Sequence, residues 1–154
     1  RSAHRWVLMA SIVFQGESAL TIDGKGRVVI PSRYREALTT LCQDELTVTK
    51  HQPGCLVIFP RPDWERFRER LLTLPIEADN WRRIYLGSAS DVTIDGSSRV
   101  LITPELRKYA GIDRDVVLLG MGSRLELWNA ELHAANEAAT LALPMPESVR
   151  NFVM

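Results

Sequence analysis

The amino-acid sequence predicts a mainly β protein with peripheral helices, an α+β chain assembled from two similar halves. Three observations predict this. The phrase TIDGKGRVVIPSRYREAL (21–38) returns as TIDGSSRVLITPELRKYA (93–110), so that Asp23 of the first copy matches Asp95 of the second. Each copy precedes two β-rich runs around a turn, LTVTKHQPGCLVIFP (46–60) and VVLLGMGSRLELWNA (116–130). Each of those runs leads into a helical stretch. Two copies are too few for a solenoid, which needs three or more, so a duplicated half-domain is the reading. One four-stranded unit alone keeps exposed edges and a bare apolar face. Pairing the halves face to face buries both faces and predicts a small pseudo-two-fold β-barrel with helices outside it.

Each half reads strand, Gly-rich turn, strand, short helix, strand, turn, strand, helix. Val, Ile and Thr enrichment places first-half strands near 19–23, 27–30, 46–49 and 56–59. The second-half strands fall near 91–95, 99–102, 116–119 and 125–128. Pro53-Gly54 predicts a type II turn. A helix begins around Pro31-Ser32 and carries Tyr34, Ala37 and Leu38 inward. Its counterpart has Thr103 as cap, Pro104 in the first turn and Gly111 at a left-handed terminus. Trp64, Phe67, Leu71 and Leu74 form one apolar stripe on a helix over 63–74, which Pro75 closes. Asn129 caps its counterpart, which runs to about Leu141, and a helix around 80–86 links the halves. The expected organisation is an extension over 1–13, a first half over 14–78, a second over 79–143 and a loosely held tail over 144–154.

Composition excludes several classes. The 154 residues suit one ordinary domain, with 45% hydrophobic and 25% charged residues. Nineteen basic side chains balance nineteen acidic ones. This excludes a uniformly basic coat but not a local basic patch. No apolar run reaches the roughly 18 residues of a membrane span. Cys42 and Cys55 read as reduced, buried thiols, and the chain as a soluble cytoplasmic protein. GKG lacks the P-loop frame. His4, His51 and His133 have no metal-ligand spacing with the cysteines, so no metal site and no cofactor are expected. Ser11, Ser18 and Ser32 show no triad frame, and no catalytic residue is assigned.

The two turns carry the chemistry. Read structurally, Asp23-Gly24-Lys25-Gly26-Arg27 is a tight β reversal with an Asp23–Arg27 ion pair and Lys25 as a solvated tip. Read functionally, Gly24 and Gly26 let the backbone approach a phosphate while Lys25 and Arg27 supply charge. Arg27 also has the fork that fits a guanine edge. From 21 to 38 the net charge is +2, and from 93 to 110 it is +1. The duplication therefore builds the fold. The change from GKG to GSS lets the first turn specialise for DNA, leaving the second for packing, weaker phosphate contact or subunit contact.

Three stretches carry a family resemblance: FQGESALTIDGKGRVVIPSRYREAL (14–38), RRIYLGSASDVTIDGSSRVLITPELRKYAGI (82–112) and LELWNAELH (125–133). They resemble the MraZ family of bacterial transcriptional regulators, with two D-x-x-x-R turns in tandem, each followed by an Ile and a short helix. The resemblance implies tandem AbrB-like swapped-hairpin units forming one barrel. It also implies a ring-shaped homo-oligomer that binds repeated boxes in double-stranded promoter DNA ahead of a division and cell-wall gene cluster. The expected DNA contacts are Arg27 and Lys25 with Gly24 and Gly26, then Arg33 and Arg35 at the helix start, and more weakly Arg99. Asp23 and Asp95 are the expected orienting residues. The reading assigns no membrane, no small-molecule substrate and association with the nucleoid. A protein-interaction scaffold, or an antitoxin-like partner using the same barrel, is the alternative.

Overall fold

A computed structural model of the chain describes residues 13–153. The expected extension falls almost wholly outside them, as do His4 and Ser11. The first half contributes β1 (Glu17–Thr21), β2 (Arg27–Val29), α1 (Ser32–Cys42), β3 (Glu45–His51), β4 (Cys55–Pro60) and α2 (Arg61–Leu72). A 3₁₀ turn (Ile76–Ala78) and α3 (Asp79–Tyr85) follow. The second half gives β5 (Ser90–Thr93), β6 (Arg99–Leu101), α4 (Pro104–Ala110), β7 (Asp115–Gly120), β8 (Leu125–Asn129) and α5 (Ala130–Leu141). The tail forms α6 (Glu147–Val153), where no regular element was expected. Among the described residues no helix is long and apolar enough to cross a membrane.

The halves do not stack as two separate four-stranded sheets. They share a six-stranded sheet of order β1-β7-β8-β4-β3-β5 and a separate ribbon, β2-β6, all of it antiparallel. Strand β1 pairs with β7 of the other half, Thr21 opposite Asp115. Strand β5 pairs with β3, Thr93 opposite Glu45. Each half thus satisfies an edge of the other with its first strand, which answers the edge problem differently from a face-to-face stack. Each D-x-x-x-R turn joins the two sheets, and in the first an Ile22–Val28 bridge and an Asp23 N to Arg27 O bond of 2.9 Å tie its two arms.

Strand β4 is buried along its whole length because both faces are covered. Leu56 and Ile58 face the main core with Leu46, Val48, Leu118, Leu125 and Leu127. Val57 and Phe59 face outward under Trp64 and Phe67 of α2. The ribbon seals the main core from the other side through Val28 and Val100, both fully buried. Alternation along these short strands decides which side chains face outward.

Local signals differ in three places. The turn is not type II: Gly54 N donates to His51 O at 3.0 Å, which puts Pro53 at the third position of the turn rather than the second. Thr103 has N-cap backbone geometry but no capping hydrogen bond from its side chain. The helix expected over 63–74 spans 61–72, so Leu74 leaves the stripe and is 48% exposed. Gly111 does take the left-handed position at φ 66°, and Asn129 does cap α5.

Candidate nucleic-acid interface

The two turns are built alike, around a carboxylate. Asp23 Oδ1 accepts from the backbone N–H groups of Lys25 at 2.9 Å and Arg27 at 2.8 Å. Its Oδ2 accepts from Arg27 Nε at 3.0 Å. Asp95 accepts in the same way from Ser97 N at 2.8 Å, Arg99 N at 2.9 Å and Arg99 Nε at 3.2 Å. Aspartate is the residue that locks a turn through its own following amides. These donors hold both carboxyls below their ordinary value, the Arg27 and Arg99 backbone bonds being the largest cause. Among the described residues neither arginine's Nη groups form a hydrogen bond, so their N–H donors stay free for a ligand.

The ribbon brings the two arginines together. Arg27 lies opposite Leu101 and Val29 opposite Arg99, while Val28 and Val100 point into the core. Arg27, Val29, Arg99 and Leu101 therefore share its outer face. By strand spacing their two arginine Cα atoms are separated by ~8 Å. Val29 and Leu101 are 49% and 47% exposed between them. Lys25 and Gly24 stand exposed at the first turn, whereas Gly26 is buried.

Arg33 and Arg35 are engaged within the fold. Arg33 donates to Ser18 and Tyr34 and lies over the Tyr34 ring, 4.7 Å from its centroid. Arg35 grips Asp44 bidentately at 3.1 and 3.3 Å and donates to Ser98 Oγ at 2.5 Å. The expectation that they stand ready for phosphate at the helix start thus meets side chains already occupied.

Sequence reasoning missed Arg107. Gly26 has φ 85°, and a Cβ there would lie 2.8 Å from Arg107 Nε and 2.9 Å from Ile102 O. Arg107 Nε donates to Ile102 O at 2.9 Å, which seats its guanidinium against the first turn. The signal was the repeat itself, which aligns Arg107 with Arg35. Glu17, His133 and Glu137 bring potential ligand atoms within 4.8 Å of one another, but both glutamates are exposed and His133 packs edge-on against Trp128. The trio is a surface cluster.

A family model described as "MraZ protein, putative antitoxin-like" matches twice, over residues 13–87 and 85–145. The chain belongs to the MraZ family. It is 59% identical over 140 residues to the transcriptional regulator MraZ of Ralstonia pickettii, covering 91% of this chain and 99% of that protein. Its identity to the protein of the same name from Ralstonia nicotianae is 58%, with the same coverage. For the Methylibium petroleiphilum protein it is 54% over 144 residues, covering 94% of this chain and 99% of the relative. MraZ is a family of transcriptional regulators rather than of enzymes.

Proposed function

We propose that this MraZ protein is a sequence-specific DNA-binding transcriptional regulator. It acts in the cytoplasm on the nucleoid, by occupying repeated boxes in the promoter of a division and cell-wall gene cluster. The β2–β6 ribbon enters the major groove, a route open to a two-stranded ribbon. The observation that carries this reading is the shared outer face of the ribbon, with Arg27 and Arg99 each clamped by an aspartate through Nε and open at Nη. That geometry suits guanine O6 and N7 or a phosphate. Lys25, with the exposed backbone of Gly24, adds backbone contact at the first turn. Arg33 is a secondary contact, since it would first have to leave Ser18 and Tyr34, whereas Arg35 stays with Asp44 and Ser98.

One barrel offers few charges, and useful DNA binding takes several neutralised phosphates. A ring-shaped homo-oligomer repeats the face and gains avidity on repeated boxes. In this reading the ribbon closes the open side of the six-stranded sheet, as a tandem AbrB-like swapped-hairpin barrel requires. The halves divide near residue 78.

The test is a binding assay on DNA from directly upstream of the protein's own gene, against a scrambled duplex of equal length. Preference for the native duplex supports the reading. Equal affinity for both refutes it and favours the protein-interaction scaffold. The exposed apolar side chains of α3, α5 and α6 support that second reading, Trp81, Leu132 and Phe152 among them.

A further inference from the structure

Each turn is served by a helix of the opposite half. Arg35 of α1 reaches Ser98 in the second turn, and Arg107 of α4 lies against Gly26 in the first. Arg35 and Arg107 are matching positions of the repeat, as are Gly26 and Ser98, so the two arrangements are equivalent.

Their surroundings are not. Ile94 N donates to Asp44 O at 2.9 Å, and Ile22 N donates to Arg114 O at 2.8 Å. Ile22 and Ile94 also match in the repeat, so Asp44 and Arg114 hold equivalent places. The sign of the charge reverses there. Asp44 neutralises Arg35 and also accepts from Thr39 Oγ1 at 2.7 Å. Arg35 in turn holds the Asp44 carboxyl below its ordinary value. The place from which Asp44 holds Arg35 is taken in the other half by Arg114, so Arg107 has no carboxylate at that position. Among the described residues neither Arg107 nor Arg114 forms an ion pair, and Arg107 donates only through Nε.

The charge balance of the two ends follows from the sequence. Lys25, Arg27, Arg107 and Arg114 stand with Asp23, Asp113, Asp115 and Glu131, a net of zero. At the other end Arg99, Arg35 and Arg61 stand with Asp95, Asp44, Glu45 and Asp91, a net of −1. The other helix differences, Arg33 against Glu105 and Glu36 against Lys108, cancel in sign.

We propose that the phosphate-binding patch at the first turn is composite: Arg107 and Arg114 of the second half join Lys25 and Arg27 on the DNA backbone, while Asp44 withholds Arg35 at the second turn. This rests on the DNA-binding reading above. A guanidinium with both Nη groups unused is the donor set that pairs a phosphate bidentately. A guanidinium already held by a carboxylate has little to offer a second anion. The GKG-to-GSS change fits the same division. Gly26 leaves room for Arg107 to pass over the turn, and Ser98 ties Arg35 down.

The experiment uses the full chain and the upstream duplex, with affinity measured at several salt concentrations. The variants are Arg107→Gln, Arg107→Lys, Arg114→Gln, Arg35→Gln and, as control, Arg27→Ala. Gln at 107 keeps a donor for Ile102 O, and thermal melting verifies each fold. Arg107→Gln and Arg114→Gln are each expected to flatten the salt dependence by about one unit per engaged subunit. Arg107→Lys restores it, and Arg35→Gln leaves it unchanged. Wild-type salt dependence in both Arg107→Gln and Arg114→Gln, with Arg27→Ala still weakened, overturns the composite patch and leaves DNA binding intact. An equal loss in Arg35→Gln overturns the withheld second turn. Unaltered binding by Arg27→Ala breaks the DNA-binding reading itself.

Discussion

At Gly26 a missing side chain decides what the first turn can be. Its φ of 85° disfavours an L side chain, and any Cβ meets Arg107 and the Ile102 carbonyl. Gly26→Ser is therefore expected to cost about 1–3 kcal/mol from backbone strain alone, more if Arg107 is displaced. Ser98 already sits at φ 63° with its hydroxyl bonded to Arg35. Ser98→Gly relieves strain and loses that bond, and should fall within about 1 kcal/mol of neutral. Thermal melts of both variants check the contrast, and equal losses would contradict it. Exchanging the whole of GKG for GSS thus mixes strain with charge, and Lys25→Ser is the cleaner charge test. Arg27→Ala should weaken specific binding by about 1–3 kcal/mol per engaged ribbon, the range for a bidentate base contact. Its ion pair with Asp23 is exposed, so the melting temperature should barely move. Collapse of the fold with normal binding would make Arg27 structural. The Asp–Arg clamp was legible in the sequence because its donors and acceptor sit together in one short turn, from Asp23 to Arg27. Arg107 was legible only through the repeat that aligns it with Arg35, because its contact with Gly26 reaches from one half of the chain to the other and has no local pattern.

Elements were more legible than their pairing. Most strands, β3, β4, β5 and β7 among them, fall where Val, Ile and Thr concentrate, since residue composition and turn chemistry act locally. Which strand completes which edge is a matter of tertiary competition. The repeat suggested two stacked units, whereas β1 and β5 each cross to the other half. The tail helix escaped notice because the prolines at 144 and 146 precede it rather than interrupt it. Helix α5 shows how few contacts can fix an element. It has no buried residue, yet Asn129 Oδ1 accepts from Leu132 N at 3.0 Å and Asn129 Nδ2 donates to Gly111 O at 2.6 Å. One side chain thus joins the start of α5 to the end of α4. Asn129→Ala should cost about 1–2 kcal/mol, the upper part of the capping range. A denaturant midpoint unchanged by the substitution would show that packing alone holds α5.

For the molecule as a whole, opposing titrations bound the pH range of stability. Burial lowers the pKa of His51, partly offset by Glu126. The neutral ring can accept from Tyr85 Oη at 2.7 Å through Nδ1 while Nε2–H faces Glu126 at 3.5 Å, so that contact is not an ion pair near neutrality. A lowered folded value means that stability is lost as pH falls below the ordinary 6.5. Asp23, Asp44 and Asp95 act in the same direction below 3.8. Burial pushes the Cys55 thiol up to about 12, so its contribution is lost as pH rises from 9.0 towards that value. Chemical denaturation across pH should give a plateau between these limits, and greatest stability in strongly acidic solution would contradict the sign. The surface carries a second message. Trp81 is 46% exposed, Leu132 48%, Leu143 69% and Phe152 87%. These side chains lie on α3, α5, α6 and their connections, apart from the ribbon. Burying each in a subunit contact would contribute about 1.5–3 kcal/mol at most. Head-to-tail contacts close into a ring when the rotation permits. Light scattering should therefore give a multiple of 17.4 kDa, and a single-chain mass at working concentration would exclude the ring. Replacing Trp81 and Phe152 together by Ser should shift the distribution towards single chains without altering the ribbon. DNA affinity should then fall further than any one ribbon substitution lowers it, because avidity is lost along with assembly.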